Sequence, residues 1–287
     1  MQVSSFRLLR TASLVFALFI FITSCQKGNT GEGTKQLQIF LTDGPAGYDA
    51  VNIDIQSVEA KVDTCDRTRH DDHFGDRDED RDDHERRRDE FGNWVSLNAP
   101  PGIYDVLKLR NGIDTLLANG TINGRVRKIR ITLGENNTIV KDGVTYPLQL
   151  INPTMNFLYI KLNDEHRRDS ADKQGVWVDF DLSRSVIAIN GKYYLRPVLR
   201  PFCDRNFGEV EGKVTPAAAG ARVVVYNAKD TSTAIPNPDG FFKVRGLPAG
   251  SYSVWFDASN GYQDTTINNV QLINGREVRL PAVVLHQ

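Results

Sequence analysis

The stretch Val51-Asn52-Ile53-Asp54-Ile55 alternates strictly between apolar and polar residues. Successive side chains of a β-strand point to opposite faces, so this alternation predicts a strand with one buried face. A similar alternation occurs upstream in Leu37-Gln38-Ile39-Phe40-Leu41, and Thr42-Asp43-Gly44-Pro45 after it is typical of a turn. Together these stretches indicate a β-rich domain that begins near residue 37.

Strand patterns continue to residue 199, and two of them are joined by hairpin signals. Asn190-Gly191 between two apolar runs is the strongest short hairpin signal, and Lys141-Asp142-Gly143-Val144 is a second one. Helical periodicity is weak, and the best helix candidate is a short one near residues 114–118. Further strands are predicted at 94–97, 104–109, 126–133, 138–140, 145–150, 157–162, 176–182, 185–189 and 192–199.

The sequence pattern changes in residues 207–287, where short strand patterns are separated by regularly spaced turns. This spacing is typical of a small antiparallel β-sandwich. We therefore expect an all-β chain with two β-sandwich-like domains, at residues 37–203 and 207–287. The strands of the second domain are predicted at 208–214, 221–226, 240–244, 251–258, 265–272 and 277–285.

The N-terminal segment has the layout of a secretory signal peptide, with Arg7 and Arg10 before the apolar run 11–22. That run is shorter than the roughly 20 residues that a membrane-spanning helix needs. The ending Ile22-Thr23-Ser24-Cys25 resembles a bacterial lipobox, which implies cleavage of residues 1–24 and lipid attachment at Cys25. An uncleaved anchor and an ordinary signal peptide with an incidental cysteine are the alternatives.

The residues that follow this segment also bear on the location of the protein. Gln26, rather than aspartate, follows Cys25, and by resemblance to lipoprotein sorting rules this implies the outer membrane. The side of that membrane, periplasmic or surface-facing, stays open. Residues 25–36 are polar and glycine-rich, which predicts a flexible tether between the lipid and the first domain.

The chain contains three cysteines, and lipid attachment at Cys25 would leave the pair Cys65 and Cys203. A pair of cysteines outside the cytosol favours a disulfide. Two unpaired thiols are the alternative. The formal net charge of the whole chain is only -1, so nothing in its composition argues for a nucleic-acid partner.

Residues 63–92 interrupt the first domain with a run of charges, and 63–90 contain 13 acidic residues and seven arginines. Such a segment has almost nothing to bury, which predicts a disordered exposed loop. Its carboxylates and imidazoles are candidate metal ligands, although an EF-hand alignment from Asp76 puts arginines where glycine and glutamate are needed. We therefore predict no metal site, with these residues as weaker candidates: His70, Asp72, His73, Asp76, Asp78 and Asp80.

Several motifs between residues 37 and 200 point to one family. They are Leu41-Thr42-Asp43-Gly44-Pro45, Pro101-Gly102-Ile103-Tyr104-Asp105-Val106-Leu107, Leu116-Leu117-Ala118, Ile129-Arg130-Ile131, Val178-Asp179-Phe180-Asp181 and Tyr194-Leu195-Arg196-Pro197-Val198-Leu199-Arg200. By these motifs the region resembles the domain-of-unknown-function family 4382 of secreted lipoproteins. Asp179-Phe180-Asp181 followed by Arg196-Pro197 is the most specific part. The resemblance implies no activity, because the family is defined without one.

A second resemblance covers the C-terminal domain. It is carried by Gly212-Lys213-Val214, Gly220-Ala221-Arg222-Val223-Val224-Val225, Asn237-Pro238-Asp239-Gly240-Phe241-Phe242, Leu247-Pro248-Ala249-Gly250-Ser251-Tyr252 and Gly261-Tyr262. Residues 207–287 thereby resemble the carboxypeptidase regulatory-like, transthyretin-like modules. The resemblance implies a seven-stranded sandwich of transthyretin or immunoglobulin type, grouped with carbohydrate-binding-like folds.

Catalytic motifs are missing from the chain. Asp179 and Asp181 flank Phe180 in a predicted strand, so both carboxylates point to one face. Paired carboxylates serve acid–base chemistry, but in a strand they more often face solvent or pair with neighbours such as Arg196 or Arg200. No nucleophile elbow, phosphate-binding glycine loop or zinc-helix motif occurs. We therefore predict no enzyme activity, no catalytic residue and no cofactor.

Aromatic side chains are the remaining candidates for a binding site, since an exposed ring stacks on the apolar face of a sugar. Trp255, Phe256 and Tyr262 are the candidates in the second domain, with Trp94 and Trp177 in the first. Packing in the core is the alternative for each, and on a simple strand either Trp255 or Phe256 faces outward.

These observations favour a lipid-anchored cell-envelope protein with a non-catalytic binding or scaffolding role. The membrane, through the lipid anchor, is its first expected partner, and a glycan or an envelope protein is the second. Carbohydrate is the favoured ligand class. The alternatives are a purely structural or adhesive spacer protein without a small-molecule ligand and, less favoured, a secreted hydrolase.

Overall fold

Alternating apolar residues give the described part of the chain a regular secondary structure that is nearly all β-strand. A computed structural model describes residues 34–44, 47–63, 93–166, 168–169 and 173–287, all of which lie in one compact unit. The strands of its first part, the N-terminal module, are β1 (Lys35–Gly44), β2 (Ala50–Asp63), β3 (Asn93–Ser96), β4 (Gly102–Asp105), β5 (Thr115–Ile122), β6 (Arg125–Leu133), β7 (Thr138–Lys141), β8 (Val144–Leu150), β9 (Phe157–Lys161), β10 (Arg168–Asp169), β11 (Lys173–Asp181), β12 (Val186–Ile189), β13 (Lys192–Leu195) and β14 (Leu199–Phe202).

Two sheets form the N-terminal module. The smaller sheet has the order β10-β11-β1-β5, with β14 beside β11, and the larger one has the order β12-β13-β8-β7-β2-β6-β9, with β3 and β4 beside β2. Apolar residues from both sheets pack into one core, among them Ile39 of β1, Ile53 of β2 and Ile129 of β6. The sequence predicts that the apolar face of Val51–Ile55 is buried. This prediction is confirmed, because Val51, Ile53 and Ile55 are all buried.

The second part, the C-terminal module, contains β15 (Gly208–Thr215), β16 (Arg222–Tyr226), β17 (Thr231–Ala234), β18 (Phe241–Leu247), β19 (Gly250–Asp257), β20 (Thr265–Leu272), β21 (Glu277–Arg279) and β22 (Val283–Val284). One of its sheets has the order β18-β15-β21, with β22 also beside β15, and the other has the order β17-β16-β19-β20. Because β21 and β22 both pair in parallel with β15, they act as one interrupted strand and give the sandwich seven strand positions. The predicted all-β sandwich architecture is confirmed.

Both hairpin predictions are confirmed by backbone geometry. Asn190 and Gly191 join β12 to β13, and Asp142 and Gly143 join β7 to β8. All four residues have positive φ angles, between 50° and 75°, as two-residue turns of type I′ require.

The predicted helix near residues 114–118 is wrong. These residues enter β5, which pairs antiparallel with β1 and buries Leu117 in the core. The helical segments are short: 3₁₀ turns at Val106–Leu109, Asp164–His166 and Ala217–Ala219, and a one-turn helix α1 at Leu182–Ser185. Within the described part of the chain, no helix is long and apolar enough to cross a membrane.

Candidate functional site

The parallel pairing of β1 with β11 brings two motifs from distant parts of the sequence side by side. Thr42 lies opposite Asp179, and Gly44 lies opposite Asp181. Asp43, between them, lies opposite Phe180. Since the carboxyl ends of parallel strands meet at one edge of a sheet, three aspartates gather at that edge. We call Asp43, Asp179, Asp181 and Arg200 the carboxylate cluster.

Asp179 has an arginine partner from the neighbouring strand. Arg200 lies opposite Asp179 in the pairing of β14 with β11. Its Nη2 and Nε atoms donate to Asp179 Oδ2 at 2.5 and 3.1 Å. Burial raises the pKa of Asp179, and the nearby guanidinium of Arg200 opposes this effect. The sequence-based alternative that this aspartate pairs with a neighbouring arginine is therefore confirmed.

Asp181 has a local structural role. Its Oδ1 accepts hydrogen bonds from the backbone N–H of Arg184 at 3.2 Å and from Ser183 Oγ at 2.7 Å. These contacts cap the N-terminus of α1. The carboxylates of Asp179 and Asp181 are thus each held by partners of their own, which argues against their use as an acid–base pair.

Asp43 is the unusual member of the cluster, because only 7% of it is exposed. Neither of its carboxylate oxygens accepts a hydrogen bond of normal geometry from the described residues. Burial raises the pKa of Asp43 well above its ordinary value, and the carboxylates of Asp179 and Asp181 raise it further. The sequence indicates only a turn former here, and no local signal could have revealed the burial.

The carboxylate cluster lies against the C-terminal module. Arg200 Nη1 is 3.3 Å from the carbonyl oxygen of Thr231, and Nη2 is 3.4 Å from Ser232 Oγ. A cavity of about 20 Å³ between the modules is lined by residues that include Asp43, Asp179 and Arg245. This volume accommodates about one water molecule, so the cavity is too small for an organic substrate.

Charged side chains of β18 join the two modules beside this cavity. Arg245 Nη1 contacts Asp114 Oδ2 of the N-terminal module at 2.9 Å, while its Nε contacts Glu209 Oε1 at 3.0 Å. Asp114 Oδ2 also accepts a hydrogen bond from Trp177 Nε1 at 2.8 Å. Lys243 Nζ contacts Glu209 and Glu277 of the C-terminal module at 2.7 and 2.6 Å. We call this set the junction network.

Trp177 is not available to a surface ligand, which corrects its assignment as a sugar-platform candidate. Its ring stacks on Phe40 with centroids 4.8 Å apart, and it is packed with Phe202 in a small buried cluster. The ring therefore stabilises the fold near the junction.

Phe256 is also a structural residue, and its assignment to a ligand-binding surface is wrong. It is 0% exposed and packs edge-to-face against Phe242, with ring centroids 5.7 Å apart. Trp255 is its neighbour in β19 and points to the opposite, outer face, where it is half-buried. Tyr262 lies in the turn between β19 and β20 and is half-buried against the core of the C-terminal module.

The sequence profile of the family described as "domain of unknown function (DUF4382)" matches residues 34–197, which is more than half of the chain. The chain belongs to the DUF4382 family. The DUF4382 match covers β1 and β11 with their three aspartates, but it ends before Arg200. The arginine that pairs with Asp179 nevertheless lies in a strand of the same sheet. This match ends before residues 207–287, so their resemblance to carboxypeptidase regulatory-like modules stays a prediction.

Several solved structures share limited similarity with this DUF4382 protein. A type II cohesin–X-dockerin complex of Acetivibrio cellulolyticus is 22% identical, with 27% of this chain and 56% of that chain covered and a TM-score of 0.23. The TIE protein of Bacillus anthracis is 12% identical, with 88% and 34% covered and a TM-score of 0.22. A minor pilin of Streptococcus agalactiae is 10% identical, with 88% and 95% covered and a TM-score of 0.21. Similarities this low carry no argument about function.

No curated protein matches the chain significantly. Among the described residues, no three histidine, cysteine, aspartate or glutamate side chains are grouped so that they could hold a metal ion. The predicted lipid-bearing Cys25, the disulfide candidate Cys65 and the weaker metal candidates at 70–80 lie outside the described residues. Cys203 is buried, with Sγ 3.2 Å from the carbonyl oxygen of Glu165, and its pairing with Cys65 stays a prediction.

Proposed function

We propose that this DUF4382 protein is a lipid-anchored component of the cell envelope that binds carbohydrate without catalysing a reaction. The observation that carries the proposal is the outer face of the sheet β17-β16-β19-β20, where Trp255 lies among hydroxyl and amide side chains. We call this surface the Trp255 face. The lipid anchor rests on the sequence around Cys25.

The pairing register of the four strands places the side chains of the Trp255 face in rows. Thr233, Val224, Trp255 and Thr266 lie opposite one another across the four strands. In the next row, Tyr226 lies between Thr231 and Ser253, and it is 38% exposed. A sheet face with two aromatic rings offers stacking surfaces to sugar rings, and the flanking hydroxyl groups can exchange hydrogen bonds with sugar hydroxyls.

The polar side chains of this face are already ordered by contacts with one another. Ser253 Oγ donates to Asn268 Oδ1 at 2.8 Å, and Gln271 Nε2 donates to Ser251 Oγ at 2.9 Å. Such contacts reduce the conformational entropy that ligand binding would otherwise cost. Tyr226, which sequence reasoning did not select, is placed beside this set only through cross-strand pairing.

Replacement of Trp255 tests the carbohydrate proposal. We expect Trp255→Ala to weaken glycan binding by about tenfold, because a lost aromatic contact of about 1.4 kcal/mol corresponds to that factor. Trp255→Phe keeps an aromatic ring and should lose less. The measurement is binding to a broad glycan array, followed by calorimetry with the best glycan. A folded wild-type protein that binds no glycan on the array would contradict the proposal.

Lipid anchoring needs a separate test, since it concerns a different part of the chain. Cells expressing the full chain and a Cys25→Ala variant are labelled with a palmitate analogue, and the membranes are separated. We expect label in the wild type alone and fractionation of the wild type with the outer membrane. Equal labelling of both proteins would contradict the assignment of Cys25.

A structural spacer is the second candidate function, and the junction network favours it. The ion pair between Arg245 and Asp114 links the two modules, and a spacer that transmits force along its length needs such a link. The glycan array separates the two functions, because a spacer needs no saturable glycan site.

A further inference from the structure

A cleft of about 520 Å³ lies between the two modules. The N-terminal module lines it mainly with residues on and after the 3₁₀ turn Val106–Leu109, and the C-terminal module contributes Asn237 and Phe241. We call this cavity the module cleft. Its volume is typical of pockets that hold a small organic ligand, and such pockets often form where two domains meet.

Apolar side chains from both modules line the module cleft. Leu107 is buried and Phe241 is half-buried. Ile113 is 57% exposed, although it is a large apolar side chain. Removing apolar surface from water is favourable, so a ligand with an apolar group would gain free energy by covering these side chains.

The lining also carries charges of both signs in equal number. It contains two carboxylates and two cations, which belong to Asp49, Asp105, Lys108 and Arg110. Lys108 Nζ lies 3.5 Å from Asp105 Oδ2, so these two charges form a pair within the N-terminal module. The charges of Asp49 and Arg110 are left for a ligand.

Arg110 presents an unpaired guanidinium to the module cleft. Among the described residues, this group forms neither an ion pair nor a hydrogen bond. Its charge lowers the pKa of the nearby Asp43 carboxyl, but burial and the carboxylates of Asp179 and Asp181 outweigh that effect. Asp43 therefore keeps its proton to higher pH and is a poor counterion. A guanidinium suits a carboxylate ligand, because its planar donors match the two oxygens.

Asp49 offers the opposite charge. Its Oδ2 accepts a hydrogen bond from the backbone N–H of Gly143 at 2.9 Å, which orients the carboxylate. No ion pair with another residue in the described part of the chain balances its charge. The other oxygen, Oδ1, can accept a charge-assisted hydrogen bond from an ammonium group.

Hydrogen bonds between and within the modules preform the module cleft. Asn111 Nδ2 donates to the carbonyl oxygen of Ile235 at 3.0 Å, which links the two modules. Asn237 Oδ1 accepts hydrogen bonds from the backbone N–H groups of Asp239 and Phe241, at 3.1 and 2.9 Å, and fixes the turn before β18. A preformed cavity reduces the entropy that binding would otherwise cost.

We infer that the module cleft binds a short apolar peptide with free termini. The carboxylate of the peptide pairs with Arg110, and its ammonium group pairs with Asp49. The apolar side chains of the peptide pack against Ile113 and Phe241. The inference goes beyond the proposed function, because β18 belongs to the other sheet of the C-terminal module than the Trp255 face and the ligand class differs.

Two other ligand classes fit the module cleft less well. A neutral sugar could exchange hydrogen bonds with Asp49 and Arg110, but it would leave both charges without an ion pair. An anion without a positive group would approach the carboxylates of Asp49 and Asp105, and like charges repel. A zwitterionic ligand provides each free charge of the lining with its opposite.

Calorimetry with the full chain tests the inference with three peptides: leucyl-leucine, its N-acetylated form and its C-terminal amide. We expect saturable binding of leucyl-leucine and at least about tenfold weaker binding of each modified peptide, because each lacks one charged group. Cellobiose should not displace leucyl-leucine, and a sugar bound at the Trp255 face would not change this result.

Two conservative variants assign the charges of the ligand to their partners. Arg110→Gln should weaken binding of leucyl-leucine by about tenfold but leave binding of the amide unchanged, because the amide lacks the carboxylate. Asp49→Asn should act in the same way on leucyl-leucine but not on the acetylated peptide, and it keeps an acceptor for Gly143. Arg276→Gln, at an exposed arginine outside the module cleft, is the matched control and should bind as the wild type does.

Several results would overturn the inference. These are no saturable binding of leucyl-leucine by the folded wild type, equal affinity for all three peptides, or displacement of leucyl-leucine by cellobiose. Wild-type affinity in both Arg110→Gln and Asp49→Asn, with circular dichroism showing that the variants are folded, would place the peptide elsewhere. The glycan array tests the Trp255 face separately, so the two proposals can fail independently.

Discussion

At the scale of single residues, Asp43 is the clearest case of a side chain whose environment opposes its usual charge state. Its carboxylate is buried beside two other carboxylates. An ionised group in that position would be unfavourable unless it were paired, so the carboxyl holds its proton to higher pH. This makes Asp43 a residue whose contribution to stability depends on pH.

The pH dependence has a definite sign. The pKa of Asp43 is raised in the folded chain, so the unfolded chain loses this proton first as the pH rises. Between the two pKa values the folded state binds more protons, and stability therefore falls with increasing pH. We expect Asp43→Asn to remove this part of the decline and to be at least as stable as the wild type at neutral pH.

Urea unfolding at several pH values above about 4, the ordinary aspartate range, measures this effect. Asp239→Asn, at an exposed turn position, is the control and should follow the wild-type curve. A parallel decline in wild type and Asp43→Asn would show that the buried carboxyl does not retain its proton.

At the scale of the elements, two turn glycines distinguish backbone strain from close packing. Gly143 and Gly240 both have positive φ angles, of 74° and 80°. A Cβ atom at Gly143 would meet nothing within 4 Å, whereas one at Gly240 would lie within contact distance of the carbonyl oxygen of Val214. The contact is with backbone, which cannot rotate away as a side chain can.

We therefore expect Gly240→Ala to lower the free energy of unfolding by at least about 2 kcal/mol, because strain and a backbone clash add. Gly143→Ala should cost only the strain of about 1 kcal/mol. Thermal and urea unfolding compare the two variants. Equal losses at the two positions would mean that the contact with Val214 relaxes without cost.

At the scale of the whole molecule, the junction network decides whether the two modules behave as one body. Arg245 is only 13% exposed in its side chain and contacts acidic residues from both modules. Removing a charged group with several hydrogen-bonded partners leaves those partners unsatisfied. The network is therefore expected to couple the unfolding of the modules.

We expect Arg245→Ala to lower stability by about 2 kcal/mol and to separate thermal unfolding into two transitions, because the C-terminal module loses its contact with Asp114. Arg222→Ala is the control: it removes an exposed ion pair with Asp257 inside one module and should cost less than about 1 kcal/mol. Calorimetry distinguishes the cases, and a single sharp transition in Arg245→Ala would exclude coupling through this residue.

The sequence by itself determined most of the strands and their buried faces, since alternation with a period of two is a local property of the chain. It also determined the hairpins at Asn190-Gly191 and Asp142-Gly143, because their left-handed backbone depends on the residues themselves. The sequence does not predict β17, because Thr231-Ser232-Thr233-Ala234 shows little apolar alternation. This strand forms through its pairing with β16 in the folded chain.

Only the tertiary structure decided which distant residues meet. The parallel pairing of β1 with β11, the grouping of Asp43 with Asp179 and Asp181, and the contact of Arg245 with Asp114 all join residues far apart in sequence. Side-chain pattern predicts which face of a strand is buried but does not select its partner strand. That selection depends on long-range packing, which is why the sequence indicates Trp255 while only the fold places Tyr226 beside it.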